Sequence, residues 1–370
     1  MEPATSSPTG RGARRGGSVT SHDVARLAGL SQSTVSRALR NDPRVSEATR
    51  LRVQAAAGEL GYVPNVTARN LVLRETRMVG MVVTDMRNLY YPNLIAPFHE
   101  ELAAHGYRMV LFTEQVAGEQ APLLLQSLVD RGVDGAVLVT PTLDSPLPGE
   151  LARQKLPFVY LTREAEGVAA DAVVIDDALG ASLVAAEIVR LGHRRIGAIF
   201  GPTNTSTGVH RERGFRAGLR AAGIELPDEV VRRGEYVDAT GFSAMQELMA
   251  LDSPPTVVAC CSDLVAVGVV NAARALGLRV PEDVSVTGWD DLPLAAWETF
   301  RLTTLHVPMN DMAHAAARLL VERIEASAAP PPRRVLFEPR LVPRATLAPP
   351  SPAGDGSAPP ARPRRPSRGR

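Results

Sequence analysis

The sequence predicts an α/β protein: a small all-helical head followed by two units, each built on a parallel sheet. Three observations predict it. Between Val19 and Tyr62, three short stretches each open on a capping residue and repeat apolar residues at helical spacing. From Met78 onward, short β-branched runs alternate with helical stretches, and the series occurs twice. The charge is segregated: residues 1–75 hold eleven arginines against six acids, while residues 76–350 hold 25 bases against 33 acids, within a net +1 over 370 residues. A basic head on an acidic body confines any affinity for a polyanion to one end, since cations there would release the polyanion's counterions while the acidic body is repelled.

In the head, Ser21 is expected to N-cap a first helix ending at Ala28, with Asp23 in its first turn, where a carboxylate suits the positive helix end. Gly29 supplies a tight turn, and Ser31 caps a second helix, 32–40. Val24, Leu27, Leu30, Val35 and Leu39 provide the apolar contacts that lock the two helices at a steep angle. Left outward on the second helix are Gln32, Ser33, Thr34, Ser36, Arg37 and Arg40. Short hydrogen-bonding side chains plus arginines are the types that read base edges and hold phosphates in a major groove. The bland alternative is a helical hairpin with a solvated polar face. A third helix, capped by Ser46 and stopped by Gly61, buries Val53, Ala57 and Leu60. Asn65 to Leu73 then offers about two turns of helix, below the roughly 12–15 residues an isolated helix needs in water.

In the body, MVGMVV, RMVLF, GAVLV, FVYL and AVVI are the strands of a first series, with helices at 93–105 and 121–132 between them. RIGAIF, VVRRGEY, TVVACC and VSVTGW form a second, with helices near 178–191, 211–222, 240–250 and 264–276. Strand–helix alternation implies right-handed crossovers and two Rossmann-like subdomains, with a ligand cleft beyond the carboxyl ends of the strands. Residues 1–17 and 344–370 are rich in Pro, Gly, Ser and Arg and are expected to be disordered, basic tails.

Other classes fail on composition and motif. No run of eighteen apolar residues occurs and the N-terminus lacks a charged-then-apolar signal pattern, so a cytoplasmic protein without membrane contact is expected. Cys260 and Cys261 are neighbours on an apolar strand without metal-ligand spacing, which suits core packing. GPTNTSTG at 201–208 lacks the Lys-Ser/Thr end of a P-loop, no G-x-S-x-G, H-E-x-x-H or C-x-x-C occurs, and the seven histidines are scattered. No catalytic residue, metal site or cofactor is expected.

The head and hinge, through Asp23-Val24-Ala25, SQSTVSR at Ser31–Arg37, Val45-Ser46 with Thr49-Arg50, and GYVPN, closely resemble the lac repressor (LacI/GalR) family of bacterial transcription regulators, and the likeness continues to about residue 343. The resemblance implies a helix-turn-helix DNA-binding domain at 18–63, a hinge at 64–76 and a core of two interleaved lobes at 77–343. That core looks like the periplasmic sugar-binding fold, with the chain crossing between lobes three times. On this reading the DNA-contacting residues are Ser31, Gln32, Ser33, Thr34, Ser36, Arg37 and, in the hinge, Asn65, Ala68 and Leu71, with Leu71 wedged in the minor groove. Effector contacts carry over to Asp85, Tyr90, Tyr91, Arg211, Tyr236, Ser262 and Asp290. Leu89 stands where the family usually has Pro, and Leu73-Arg74-Glu75 where many relatives have Gly. Asp263 and Asp291 are expected to cap or brace, and Arg211→Ala to fold near normally while losing its response to ligand. The expected function is repression of carbohydrate uptake or catabolism genes by a homodimer on an inverted-repeat operator, released by a sugar. A regulator corepressed by a purine-like or other metabolite is the alternative. The tail carries no apolar heptad, which argues for a dimer.

Overall fold

Capping decides where the head helices begin. A computed structural model describes residues 19–39, 41–62, 76–113, 121–328 and 330–351. Helices α1 (Ser21–Ala28), α2 (Gln32–Leu39) and α3 (Glu47–Glu59) form the head. The first cap is Thr20 rather than Ser21: the Asp23 carboxylate accepts from the Thr20 backbone N–H at 3.0 Å and from its hydroxyl at 2.8 Å. Ser31 and Ser46 cap α2 and α3 as expected, accepting from Thr34 N at 3.2 Å and Thr49 N at 3.3 Å. Gly29, at φ +64°, ends α1, and Arg52 on α3 donates to the Ala28 carbonyl at 2.7 Å. Val24, Val35, Ala38 and Val53 fill the core of the head, while Leu27 is 45% exposed and takes no part. The hinge residues Asn65, Ala68 and Leu71 lie outside the described residues.

Contacts divide the chain between Thr76 and Arg77. Beyond that point a six-stranded parallel sheet runs in the order β11-β5-β4-β3-β1-β2. Its strands are β1 (Met78–Val83), β2 (Arg108–Thr113), β3 (Gly135–Leu138), β4 (Phe158–Leu161), β5 (Asp171–Ile175) and β11 (Arg334–Phe337). Helices α4 (Tyr90–Ala104), α5 (Ala121–Asp130), α6 (Leu147–Arg153) and α11 (Met309–Glu325) complete this first lobe. The second lobe has a parallel sheet ordered β7-β6-β8-β9. It comprises β6 (Ile196–Phe200), β7 (Val231–Arg233), β8 (Val257–Cys260) and β9 (Ser285–Thr287), with helices α7 (Asp177–Arg190), α8 (Ser206–Ala221), α9 (Asp238–Met249) and α10 (Asp263–Ala275). Strands β1, β3, β4 and β5 read as nearly continuous apolar runs because both sheet faces are covered. The chain passes between lobes after β5, before α11 and after β11, which makes the three crossings. Among the described residues no helix is long and apolar enough to cross a membrane.

The expected start of the C-terminal tail at 344 is corrected. Antiparallel β10 (Thr304–His306) and β12 (Arg340–Val342) pair Thr304 with Val342, and the chain stays on the second lobe up to Ser351. Arg344 bonds Asp291 at 2.6 Å, buried Thr346 donates to the Val286 carbonyl at 2.8 Å, and the Ala348 carbonyl sits 2.9 Å from His193. These long-range hydrogen bonds, invisible to composition, order the chain here despite its prolines.

In the second lobe, paired helices touch backbone to backbone. A Cβ on Gly241 of α9 would run into the Val265 carbonyl, and one on Gly268 of α10 into the Asp238 carbonyl. Gly268→Ala is therefore expected to lower the unfolding free energy by about 1–3 kcal/mol through overpacking. Gly149→Ala on α6, where a Cβ meets nothing within 4 Å, should be neutral or slightly stabilising. Urea titration of the two variants checks this; equal effects would contradict the close packing.

Candidate DNA-reading helix and ligand cleft

On α2, every third or fourth residue turns inward, with Val35 and Ala38 buried against α1 and α3. Gln32 and Ser33 are consequently exposed, and Thr34, Ser36 and Arg37 half-exposed. Ser31 and Thr34 bond each other at 2.8 Å at the helix start, and Arg37 rests its Nε on the Ser33 carbonyl at 3.3 Å. Gln32 reaches Ser21 only at 3.4 Å, leaving its amide available. The helix thus offers an amide, hydroxyls and a guanidinium on one side, a set able to pair with base edges.

In the larger unit, the carboxyl ends of the two sheets face one cleft. One wall comes from the first lobe: Asn88, Tyr90 and Tyr91 after β1, Thr140 after β3, and Thr162 with Arg163 after β4. The other comes from the second lobe: Thr207, Arg211, Tyr236, Ser262, Leu264 and Asp290. Asn88 joins them, accepting from Tyr90 N at 2.9 Å and donating to the Tyr236 carbonyl at 3.3 Å. Tyr90 and Tyr91 meet edge to face at 5.9 Å, and Tyr91 shares a hydrogen bond with Thr84 at 3.0 Å. Tyr236 is held through its hydroxyl by Thr207 at 3.0 Å, and Ser262 caps α10.

Arg211 lies 7% exposed beneath this cleft. Its Nε donates to Asp177 at 2.7 Å and its Nη1 to the Cys261 carbonyl at 2.6 Å, while its guanidinium carbon sits 4.3 Å from the Trp289 ring centre. Burial works against its charge, but Asp177, Tyr236 and Asp290 outweigh burial and hold its pKa above the ordinary value. Burial pushes the Asp177 carboxyl up, with Arg211 opposing. Asp290 is pushed well above the usual carboxylate range by burial, again opposed by Arg211. Its φ of +119° is a conformation that costs non-glycine residues roughly 1–3 kcal/mol and clusters at functional sites. Asp263 accepts from Leu292 N at 2.8 Å and from the Thr304 hydroxyl at 2.5 Å, and burial pushes it up to about 7. Asp291 braces His306 at 2.9 Å and Arg344, so both acids are structural. Burial raises the Cys261 thiol to about 12, which leaves it unreactive.

Of the expected ligand contacts, Tyr90, Tyr91, Arg211, Tyr236, Ser262 and Asp290 come together. Asp85 does not: Arg87, two residues on, takes its carboxylate at 2.9 Å and holds its pKa low. Thr140, Arg163 and Thr207 also line the cleft, and Asp177 lies behind it on Arg211; the sequence reading named none of them. Thr140 and Arg163 stand just past strands, as Asn88 does, and that position was their signal. For Asp177 the signal was a pair of acids after β5, of which Asp176 caps α7 at 2.9 Å and leaves the second to be explained.

The near-normal folding expected of Arg211→Ala is revised by this geometry. The variant leaves the Asp177 carboxylate buried without its cation, a loss of about 3–5 kcal/mol. Replacing both partners together, as in Asp177→Leu with Arg211→Met, should recover most of it. Urea unfolding of the full chain checks this, and an unimpaired Arg211→Ala would contradict the buried pair.

Family models place the same parts in order. Residues 20–65 match the model described as bacterial regulatory proteins, lacI family, and residues 185–347 the periplasmic binding protein-like domain. The regulator CelR of Thermobifida fusca is 38% identical over 323 residues, covering 85% of this chain and 94% of CelR. The ribose operon repressor of Escherichia coli (strain K12) is 34% identical, covering 82% of this chain and 93% of the repressor. A solved structure of a CelR–cellobiose complex superposes with TM-score 0.69 at 34% identity, over 89% of this chain and all of that one.

Proposed function

The chain belongs to the lacI family of bacterial regulatory proteins, and we propose that it represses carbohydrate uptake or catabolism genes and leaves its operator when a sugar occupies the cleft. The carrying observation is the cleft itself, where buried Arg211 and Asp290 sit beside Tyr90, Tyr91 and Tyr236. Charged groups fork hydrogen bonds to adjacent hydroxyls, and rings cover the apolar face of a sugar. Both CelR, solved with cellobiose, and the ribose repressor carry sugar names, which supports the same ligand class here. The working form is a homodimer on an inverted repeat, one α2 for each half-site. Gln32, Ser33 and Arg37 set the sequence read, Ser31, Thr34 and Ser36 assist, and the hinge residues Asn65, Ala68 and Leu71 add contacts, Leu71 in the minor groove between half-sites. Such a regulator works in the cytoplasm, where the DNA is, and binds its ligand without transforming it.

Losing one good base contact costs about 1–3 kcal/mol of discrimination. Arg37→Ala should therefore weaken operator binding by about that amount and leave affinity for random DNA nearly unchanged. Fluorescence anisotropy on both duplexes decides it, since equal losses would reduce Arg37 to a phosphate contact. In the same assay a sugar that raises the melting temperature of the protein should lower operator affinity. A rise instead would mark corepression.

A further inference from the structure

Two groups on the first-lobe wall of the cleft are unmatched within the protein. Arg163 is half-buried, and among the described residues no carboxylate lies within ion-pair distance of it. Its guanidinium rests against the Tyr236 ring, 5.1 Å from the centre. The adjacent acid, Glu164, turns away to Arg334 at 3.1 Å. Thr140 is 4% exposed, and its hydroxyl has no hydrogen-bond partner. The two come from adjacent strands in register: Leu138 faces Tyr160, so Thr140 stands opposite Thr162, next to Arg163.

The charge of the cleft is consequently lopsided. Arg211 is matched by Asp177 at 2.7 Å, so the pair contributes little net field. Asp290 lies on the second-lobe wall, where burial pushes its carboxyl up and Arg211 opposes. Thr207, in the first turn of α8, brings a positive helix end to the same space. Arg163 is left as a half-buried cation with no carboxylate in direct contact, able to meet an anionic group that enters the cleft. A guanidinium fork with a neighbouring hydroxyl matches the planar or tetrahedral oxygens of a carboxylate or phosphate.

We propose that the effector carries an anionic group, seated on Arg163 and Thr140, while its polyol part lies on Arg211, Asp290 and the tyrosines. This rests on the carbohydrate reading above and narrows it to sugar phosphates or sugar acids. Calorimetric titration of the full chain with matched sets separates the possibilities: glucose, glucose 6-phosphate, gluconate and glucuronate, then ribose and ribose 5-phosphate, with cellobiose as a neutral disaccharide. A charge-assisted hydrogen bond corresponds to about ten- to a hundredfold in affinity. An anionic member should bind tighter than its neutral parent by that factor, with inorganic phosphate competing if the group is a phosphate. Arg163→Gln should abolish the difference between the anionic member and its neutral parent, with Arg163→Lys restoring part of it. A neutral sugar that binds as tightly as its charged relatives overturns the anionic group while sparing the carbohydrate reading. Failure of every sugar, neutral or charged, to bind overturns both.

Discussion

The floor of the ligand cleft depends on keeping Arg211 ionised out of water. Asp177 supplies the charge, the Cys261 carbonyl a second acceptor, and Trp289 a ring face 4.3 Å away. Each requires its surroundings. Trp289 fits there because Gly180 on α7 lacks a Cβ, which would strike the indole, and α8 lies close enough to α7 only because Gly214 has none to meet the Ala178 backbone. One buried ion pair thereby ties α7, α8, the end of β8 and the Trp289–Asp291 turn into a single unit. Replacing such a pair with apolar residues is often neutral for stability, so stability alone does not account for its presence.

Across the cleft the lobes are joined lightly. Asn88 donates to the Tyr236 carbonyl at 3.3 Å, Ser206 accepts from Glu164 N at 3.1 Å, and Leu143 N donates to the Asn204 carbonyl at 2.8 Å. Hydrogen bonds of this type contribute about 0.5–1.5 kcal/mol each, so a ligand with differential affinity of a few kcal/mol can shift the balance between two lobe arrangements. A ligand touching both walls also competes for Asn88 and Tyr236 directly.

The sequence was most informative where the determinants are local. Ser31 and Ser46 announced their helices, and the continuous runs of β1 and β4 announced buried parallel strands. The first cap was misplaced by one residue because Thr20 and Ser21 are equivalent on composition, and only the Asp23 carboxylate distinguishes them. Strands β10, β11 and β12 went unread since they are three or four residues long and are defined by partners far along the chain, Phe337 with Ile175 among them. The same holds for the cleft. Arg211 and Asp290 were found through the family resemblance, whereas Asp177 is 34 residues from Arg211 and becomes visible only when α7 and α8 pack. Asp85 stands outside the cleft lining, beside the local Arg87 that pairs with it.

If a sugar releases the operator as proposed, cleft and operator are coupled, and such coupling must be reciprocal. The direct measurement is the affinity of the full chain for one effector with and without saturating operator DNA, paired with operator affinity with and without saturating effector. The two ratios are predicted to be equal, at roughly 5–150-fold. A ligand that fills the cleft yet leaves operator affinity unchanged, with both ratios at one, would contradict it.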